Sequence, residues 1–225
     1  MENNIFDNSE LLIAYDKIML WGKHYKKVIK IHLQELNYAK DILDVGCGTG
    51  NLTLQFIRKG RKVTGIDVSG PSLAKLRIKS KNSNNLKLVK IDLSKGIVFE
   101  KQFDGISSMM TSHLVPNIEK HYLDCYNSLS SGGKFVVTAR TKKGDPERLV
   151  RSLRSCLVHA HLYKKLKKEF DIISNQMLRT AKSRSSSLIN EDEAIKIFKR
   201  IGFVNIKSIK NNTLGTMYTL VGEKQ

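Results

Sequence analysis

From Ser9 to Leu36 apolar residues recur every three or four positions, as Leu12, Ile13, Leu20, Val28 and Ile31, the spacing that gathers them on one side of a helix. Ser9 is placed to cap the start, and Gly22 to break the run into two leading helices. At Asp41 the period changes. Asp41-Ile42-Leu43-Asp44-Val45-Gly46 is a short apolar run ending in glycine, as a strand covered on both faces would be. Leu52, Leu54, Phe56 and Ile57 then resume helical spacing as far as Gly60, a residue type that tolerates the left-handed helix stop.

This strand-turn-helix unit repeats. Lys62–Asp67 reads as a second strand, followed by a helix from Ser69, with Pro71 just inside it, to about Ser80. Leu86–Ile91 and Phe103–Met109 read as the third and fourth strands, and a helix from about Asn117 to Ser130 carries Ile118, Tyr122, Tyr126 and Leu129 on one face. Gly132-Gly133 turns the chain into a fifth strand, Lys134–Ala139. Alternating strands and helices predict a doubly wound parallel α/β sheet with right-handed crossovers.

The rhythm stops at Thr141. Leu149, Leu153, Leu157 and Ala160 predict one long helix, and Ile172, Ile173, Met177 and Leu178 a second, so residues 141–187 read as a helical insertion ending in the serine-rich stretch Ser183–Ser187. Asn190 and Glu193 form a capping box for a helix that stops near Gly202. Phe203–Ile209, a turn at Asn211-Asn212 and Thr216–Val221 then read as a closing antiparallel hairpin. The chain is read as one domain, with leading helices over 1–39, a core over 40–140, the insertion, and a final helix and hairpin over 188–225.

A 40% apolar, 27% charged composition over 225 residues suits a globular domain with a sizeable core. No apolar run is long enough to span a membrane, and the N-terminus lacks a signal-peptide pattern, so a cytoplasmic protein is expected. The three cysteines, Cys47, Cys125 and Cys156, have no zinc-type spacing. A net charge of +18 either reflects a lysine-rich solvated surface or favours anionic partners, RNA or DNA among them. The insertion holds twelve basic against four acidic side chains, with Lys164-Lys165-Leu166-Lys167-Lys168 its densest part.

The chemistry concentrates in Asp44-Val45-Gly46-Cys47-Gly48-Thr49-Gly50. A glycine turn between strand and helix lets backbone approach a ligand and aims helix N-terminal N–H groups at it. The dinucleotide pattern would need a glycine at position 51, where this chain has Asn51. Asp44, Asp67 and Asp92 end three successive strands, along the edge where open α/β sheets bind ligands.

The run Ile42–Gly50 closely resembles the first motif of the class I S-adenosylmethionine-dependent methyltransferases. The resemblance implies their seven-stranded sheet, of order 3-2-1-4-5-7-6 with the seventh strand antiparallel, and S-adenosylmethionine as cofactor. It lays contacts to the methionine part of the donor on Asp44, Gly46, Gly48 and Gly50, the ribose on Asp67, the adenine amino group on Asp92 with Leu93 beside the ring, and a further contact on Met109. Tyr15 and Trp21 would cap the pocket or pack in the core. Met110-Thr111-Ser112-His113 stands where base- and amide-methylating members have an acid or amide followed by Pro-Pro and an aromatic, which argues against that acceptor class.

Methyl transfer from a sulfonium mainly requires positioning, plus removal of a proton when the acceptor is a hydroxyl or protonated amine. His113, just past the fourth strand and of a type that titrates near neutrality, is the candidate base. A small-molecule acceptor is the first expectation. A nucleic-acid acceptor held by the basic insertion is the alternative, and a cofactor-binding protein without turnover is the third.

Overall fold

The computed structural model describes residues 7–142, 144–182, 188–211 and 213–225. Two helices, α1 (Ser9–Ile18) and α2 (Lys23–Glu35), precede β1 (Asp41–Val45), α3 (Thr53–Arg58), β2 (Lys62–Asp67), α4 (Gly70–Lys79), β3 (Leu86–Lys90) and β4 (Phe103–Met109). After these come α5 (Ile118–Asn127), β5 (Leu129–Arg140), α6 (Pro146–His159), α7 (Lys167–Lys182), α8 (Glu191–Ile201), β6 (Val204–Ser208) and β7 (Met217–Glu223). The strands form one sheet of order β3-β2-β1-β4-β5-β7-β6, in the arrangement expected. β7 alone runs antiparallel to its neighbours β5 and β6.

Both sheet faces are covered, and strand alternation divides the core. Leu43 and Val45 of β1, with Phe135 and Val137 of β5, pack with Tyr122 of α5 and Phe198 of α8. Ile42 and Val136, one position out of phase, pack with Ile18, Tyr25, Ile29 and Leu153 from α1, α2 and α6. The central strands can therefore be apolar on consecutive residues. Each such side chain taken from water contributes about 1.5–3 kcal/mol.

Helix starts follow local polar chemistry. Asn8, rather than Ser9, caps α1, its Oδ1 accepting from the Glu10 and Leu11 N–H groups at 2.9 and 3.1 Å. Ser69 caps α4 with Pro71 in its first turn, and Asn190 and Glu193 close the capping box of α8, which stops at Gly202 with φ 109°. β5 begins earlier than the glycine pair suggested. Leu129 pairs with Phe103 and Lys134 with Gly105, so Ser130–Gly133 bulge out of the ladder without ending the strand.

The inserted helices α6 and α7 return across the sheet's C-terminal edge and meet α1. Leu153, Leu157, Phe170 and Ile173 are buried in that contact, and Lys17 of α1 pairs with Glu169 of α7 at 2.6 Å. No helix among the described residues is long and apolar enough to cross a membrane. The serine stretch Ser183–Ser187 and the second residue of the Asn211-Asn212 turn lie outside the described residues.

Candidate active site

A cavity of about 310 Å³ opens at the C-terminal ends of β1, β2 and β4, roofed by α1, α6 and α7. Its floor is the turn after β1. Gly46 and Gly48 have φ of +71° and +52°, a backbone region that costs an L side chain about 1–2 kcal/mol. A Cβ at Gly46 would sit 2.0 Å from Thr111 Oγ1, whereas one at Gly48 would meet nothing within 4 Å. Gly46 is thus fixed by packing as well as torsion. Gly48 is fixed by torsion alone and borders open space.

Three carboxylates face this end of the cavity in three different states. Asp44 is 2% exposed and accepts from Thr53 Oγ1 at 2.6 Å. Burial pushes its carboxyl up to about 6, against hydrogen bonds from Thr53 and Ser107 that pull it down. Asp67 accepts from the Gly48 N–H through Oδ2 and from the Ser69 N–H through Oδ1, both at 2.9 Å. Burial raises it too, opposed by those backbone bonds. Asp92 is exposed and caps the short turn Leu93–Lys95, accepting from the Ser94 N–H and hydroxyl, which hold it below the usual range. Among the described residues no Lys or Arg pairs with any of the three at ion-pair distance.

Asp44 also ends a buried hydrogen-bonded run through the sheet. The Asn211 amide donates to Thr219 at 2.9 Å, Thr219 and Thr138 hydroxyls meet at 2.8 Å, and His32 bridges Thr138 and Ser107 at 2.9 Å each. Ser107 bonds in turn to Asp44, and since the Asn211 N–H can only donate and an ionised carboxylate only accept, the run joins a fixed donor at one end to a fixed acceptor at the other. Burial depresses the His32 imidazole to about 3 and keeps it neutral.

The roof is latched to the floor. Asp16 of α1 accepts from Thr49 Oγ1 at 2.5 Å and pairs with Lys79 and Lys75 of α4 at 3.0 and 3.2 Å. Tyr15 and Tyr25 line the cavity edge to face, their hydroxyls 3.2 Å apart, and Asn51 Nδ2 donates to Tyr25 at 3.3 Å. Trp21 is 40% exposed and is not among the residues lining the cavity, whereas Tyr15 is.

The opposite end is apolar and basic. Met110, Leu149, Ile173, Met177 and Met217 line it, together with His113 and Arg140. His113 lies buried in a single helical turn, Ser112–Leu114, rather than on an open loop. Burial and then the Arg140 charge lower it to about 3, correcting the expectation of titration near neutrality. His159 and His161 lie outside the cavity lining.

The structure therefore brings Asp44, Gly46, Gly48, Gly50, Asp67, Asp92, Leu93, Met109 and His113 to one cavity. Tyr25, Thr111 and Arg140 join them without having been anticipated. Tyr25 sits on the helical stripe of α2 and was indistinguishable from core, and a lone arginine ending a strand reads as surface.

Residues 42–133 match the model of a family described as "Methyltransferase domain". A demethylmenaquinone methyltransferase of Tropheryma whipplei (strain Twist) is 31% identical over 134 residues, 59% of this chain and 53% of that one. A ubiquinone biosynthesis O-methyltransferase of Klebsiella pneumoniae subsp. pneumoniae is 26% identical over 48% of this chain and 45% of its own. The chain spans about half the length of the curated relatives it matches. Among solved structures, the N-methyltransferase NodS of Bradyrhizobium japonicum, in complex with S-adenosyl-L-homocysteine, superposes with a TM-score of 0.61 at 11% identity, covering 90% of this chain and 88% of that one. That last likeness is one of fold.

Proposed function

We infer that this chain is a class I S-adenosylmethionine-dependent methyltransferase that transfers a methyl group from S-adenosylmethionine to an oxygen, nitrogen or carbon of a small molecule, a reading supported by the methyltransferase-domain match over residues 42–133. The observation that carries the reading is the division of one cavity into an acidic end on the glycine turn and an apolar, basic end under α6 and α7.

The acidic end fits the donor. Asp44 is buried and Asp67 half-buried, both with raised affinity for protons and without a cationic partner among the described residues, so a ligand bringing an ammonium group and hydroxyl donors relieves their desolvation. Asp67 would accept from the ribose hydroxyls while its bond to Gly48 holds the turn, and Asp92 would accept from the adenine amino group. Leu93 would pack beside the ring, Met109 would make a further contact to the donor, and Gly46, Gly48 and Gly50 would present the backbone of the turn to the methionine part. When bound, the donor supplies an electrophilic methyl carbon on a sulfonium. His113 lines the acceptor end, where burial and the Arg140 charge, which lower it to about 3, leave it a weak base, so it would receive a hydrogen bond from a hydroxyl or amine acceptor and orient it.

The roof supports a small acceptor, since α1 and α7 meet over the cavity and narrow the space left for one. Two matched relatives carry names of quinone-pathway methyltransferases, acting on small molecules. The basic insertion gives a nucleic-acid acceptor little support: Lys167 is paired with Asp171 at 2.6 Å and Lys168 with Glu10 at 2.7 Å. A cytoplasmic location accompanies this reading.

The test is transfer of labelled methyl from S-adenosylmethionine into a cell extract separated into RNA, protein and small molecules. Label in the small-molecule fraction is expected. Label confined to RNA, or to protein, would overturn it.

A further inference from the structure

Arg140 ends β5 on the wall of the cavity's acceptor end. It is half-buried, and its Nη1 donates to the Thr180 carbonyl oxygen at 3.0 Å. A guanidinium carries five N–H donors, so most of its fork remains for other partners. Among the described residues no carboxylate lies within ion-pair distance of it, whereas the nearby arginines Arg148, Arg151 and Arg154 sit on an outward stretch where Arg151 pairs with Asp145 and Glu147. Burial lowers the Arg140 pKa, and no acidic neighbour opposes the shift.

A guanidinium set among Met110, Leu149, Ile173, Met177 and Met217 without a counter-charge among the described residues is costly. It also depresses His113, the other basic group at that end. The cavity is thus charge-segregated, with three carboxylates at or just past the ends of β1, β2 and β3 and, at the end of β5 on the far side of β4, a cation without a carboxylate partner among the described residues. A ligand pair of opposite polarity would complement it, a cationic donor at one end and an anionic partner at the other.

We propose that Arg140 is the anion receptor of the acceptor subsite, and that the molecule methylated carries an anionic oxygen group, carboxylate or phosphate, on an otherwise apolar body. The proposal rests on the methyl-transfer reading. The planar fork recognises either oxyanion through paired N–H···O bonds, and the methionine and leucine lining accepts the apolar remainder.

Titration calorimetry with octanoate, octyl phosphate and 1-octanol, each with and without saturating S-adenosylhomocysteine, tests it. Wild-type protein should bind at least one anion about tenfold or more tighter than octanol, a gap of the size charge-assisted pairing gives. The two anions separate carboxylate from phosphate. Arg140→Gln should abolish the preference, and Arg140→Lys should keep the charge but lose the paired geometry and part of the preference. Circular dichroism of both variants should match wild type. Octanol binding as tightly as both anions, no anion binding at all, or a preference intact in Arg140→Gln would overturn the assignment. S-adenosylhomocysteine is titrated separately: its failure to bind sinks the methyl-transfer reading, whereas its binding without an anion preference sinks only the role given to Arg140.

Discussion

The amide of Gly48 donates to Asp67 Oδ2 at 2.9 Å across nineteen residues of sequence. One carboxylate at the end of β2 thereby holds the turn that follows β1 and faces the same cavity. Asp67→Ala should weaken S-adenosylhomocysteine binding by about 1–3 kcal/mol, through lost charge-assisted hydrogen bonds and a loosened turn. Calorimetry on the folded variant checks it, and unchanged affinity would remove Asp67 from the site.

The two glycines beside it should fail differently. Gly46→Ala drives a methyl group to 2.0 Å from Thr111 and should lower thermal stability as well as binding. Gly48→Ala meets open space and carries only torsional strain, about 1–2 kcal/mol. It should stay folded at 25 °C while binding S-adenosylhomocysteine more weakly, and thermal melts run beside the titrations separate the two.

The Asp16 latch predicts a mobile roof when cut. Asp16→Ala removes the acceptor for Thr49 and the partner of Lys75 and Lys79. A loss of about 1–3 kcal/mol is expected for the charged hydrogen bonds, part-exposed as they are. Hydrogen exchange should quicken in α1 while the β1 and β4 amides stay protected. Uniform acceleration across the sheet would show that α1 is no separate roof.

Stability should fall on acidification below about pH 6. His32 and His113 are depressed to about 3 and His121 to about 4, all by burial, so each contributes stability present above its unfolded pKa of about 6.5 and lost as pH falls toward the folded value. Asp44, raised to about 6, works the other way, contributing stability below its unfolded value that is lost as pH rises through 6. Three protons taken up on unfolding against one released leave two. The loss between pH 6 and 4 should therefore approach about 3 kcal/mol per pH unit, less whatever raised Asp67 returns. Urea unfolding at pH 7, 6 and 5 reads the slope, and a flat or rising profile would contradict it.

With its conjugate acid near 3, His113 should give no inflection near neutrality. Turnover of an identified acceptor should be flat in His113 titration from pH 6 to 8, and His113→Ala should slow it while leaving S-adenosylhomocysteine affinity intact. Full activity in that variant would dismiss the histidine from the acceptor site.

The sheet was legible because period and punctuation agreed. Asp41–Gly50 passes from strand to glycine turn within ten residues, and Asn190 with Glu193 announces the helix after the insertion. Local ambiguities of one residue were not resolvable, as with Asn8 and Ser9, both good caps. Gly132-Gly133 hid a strand that had already begun at Leu129, since a bulge and a turn use the same residues. The acidic end of the site could be found because its acids end consecutive strands. Arg140 and the buried state of His113 could not, because both depend on α6 and α7 folding back over a distant edge.

That fold-back sets an order on synthesis. Lys17 and Glu169, which join the roof helices, stand 152 residues apart, and Tyr15 reaches the cavity from the chain's beginning while Met177 reaches it from near its end. At roughly 5–20 residues made per second, α1 waits on the order of ten seconds for α7 to exist. Until then the glycine turn and its buried acids can have a floor and no cover, so a ligand-binding chamber is among the last things this chain acquires as it leaves the ribosome.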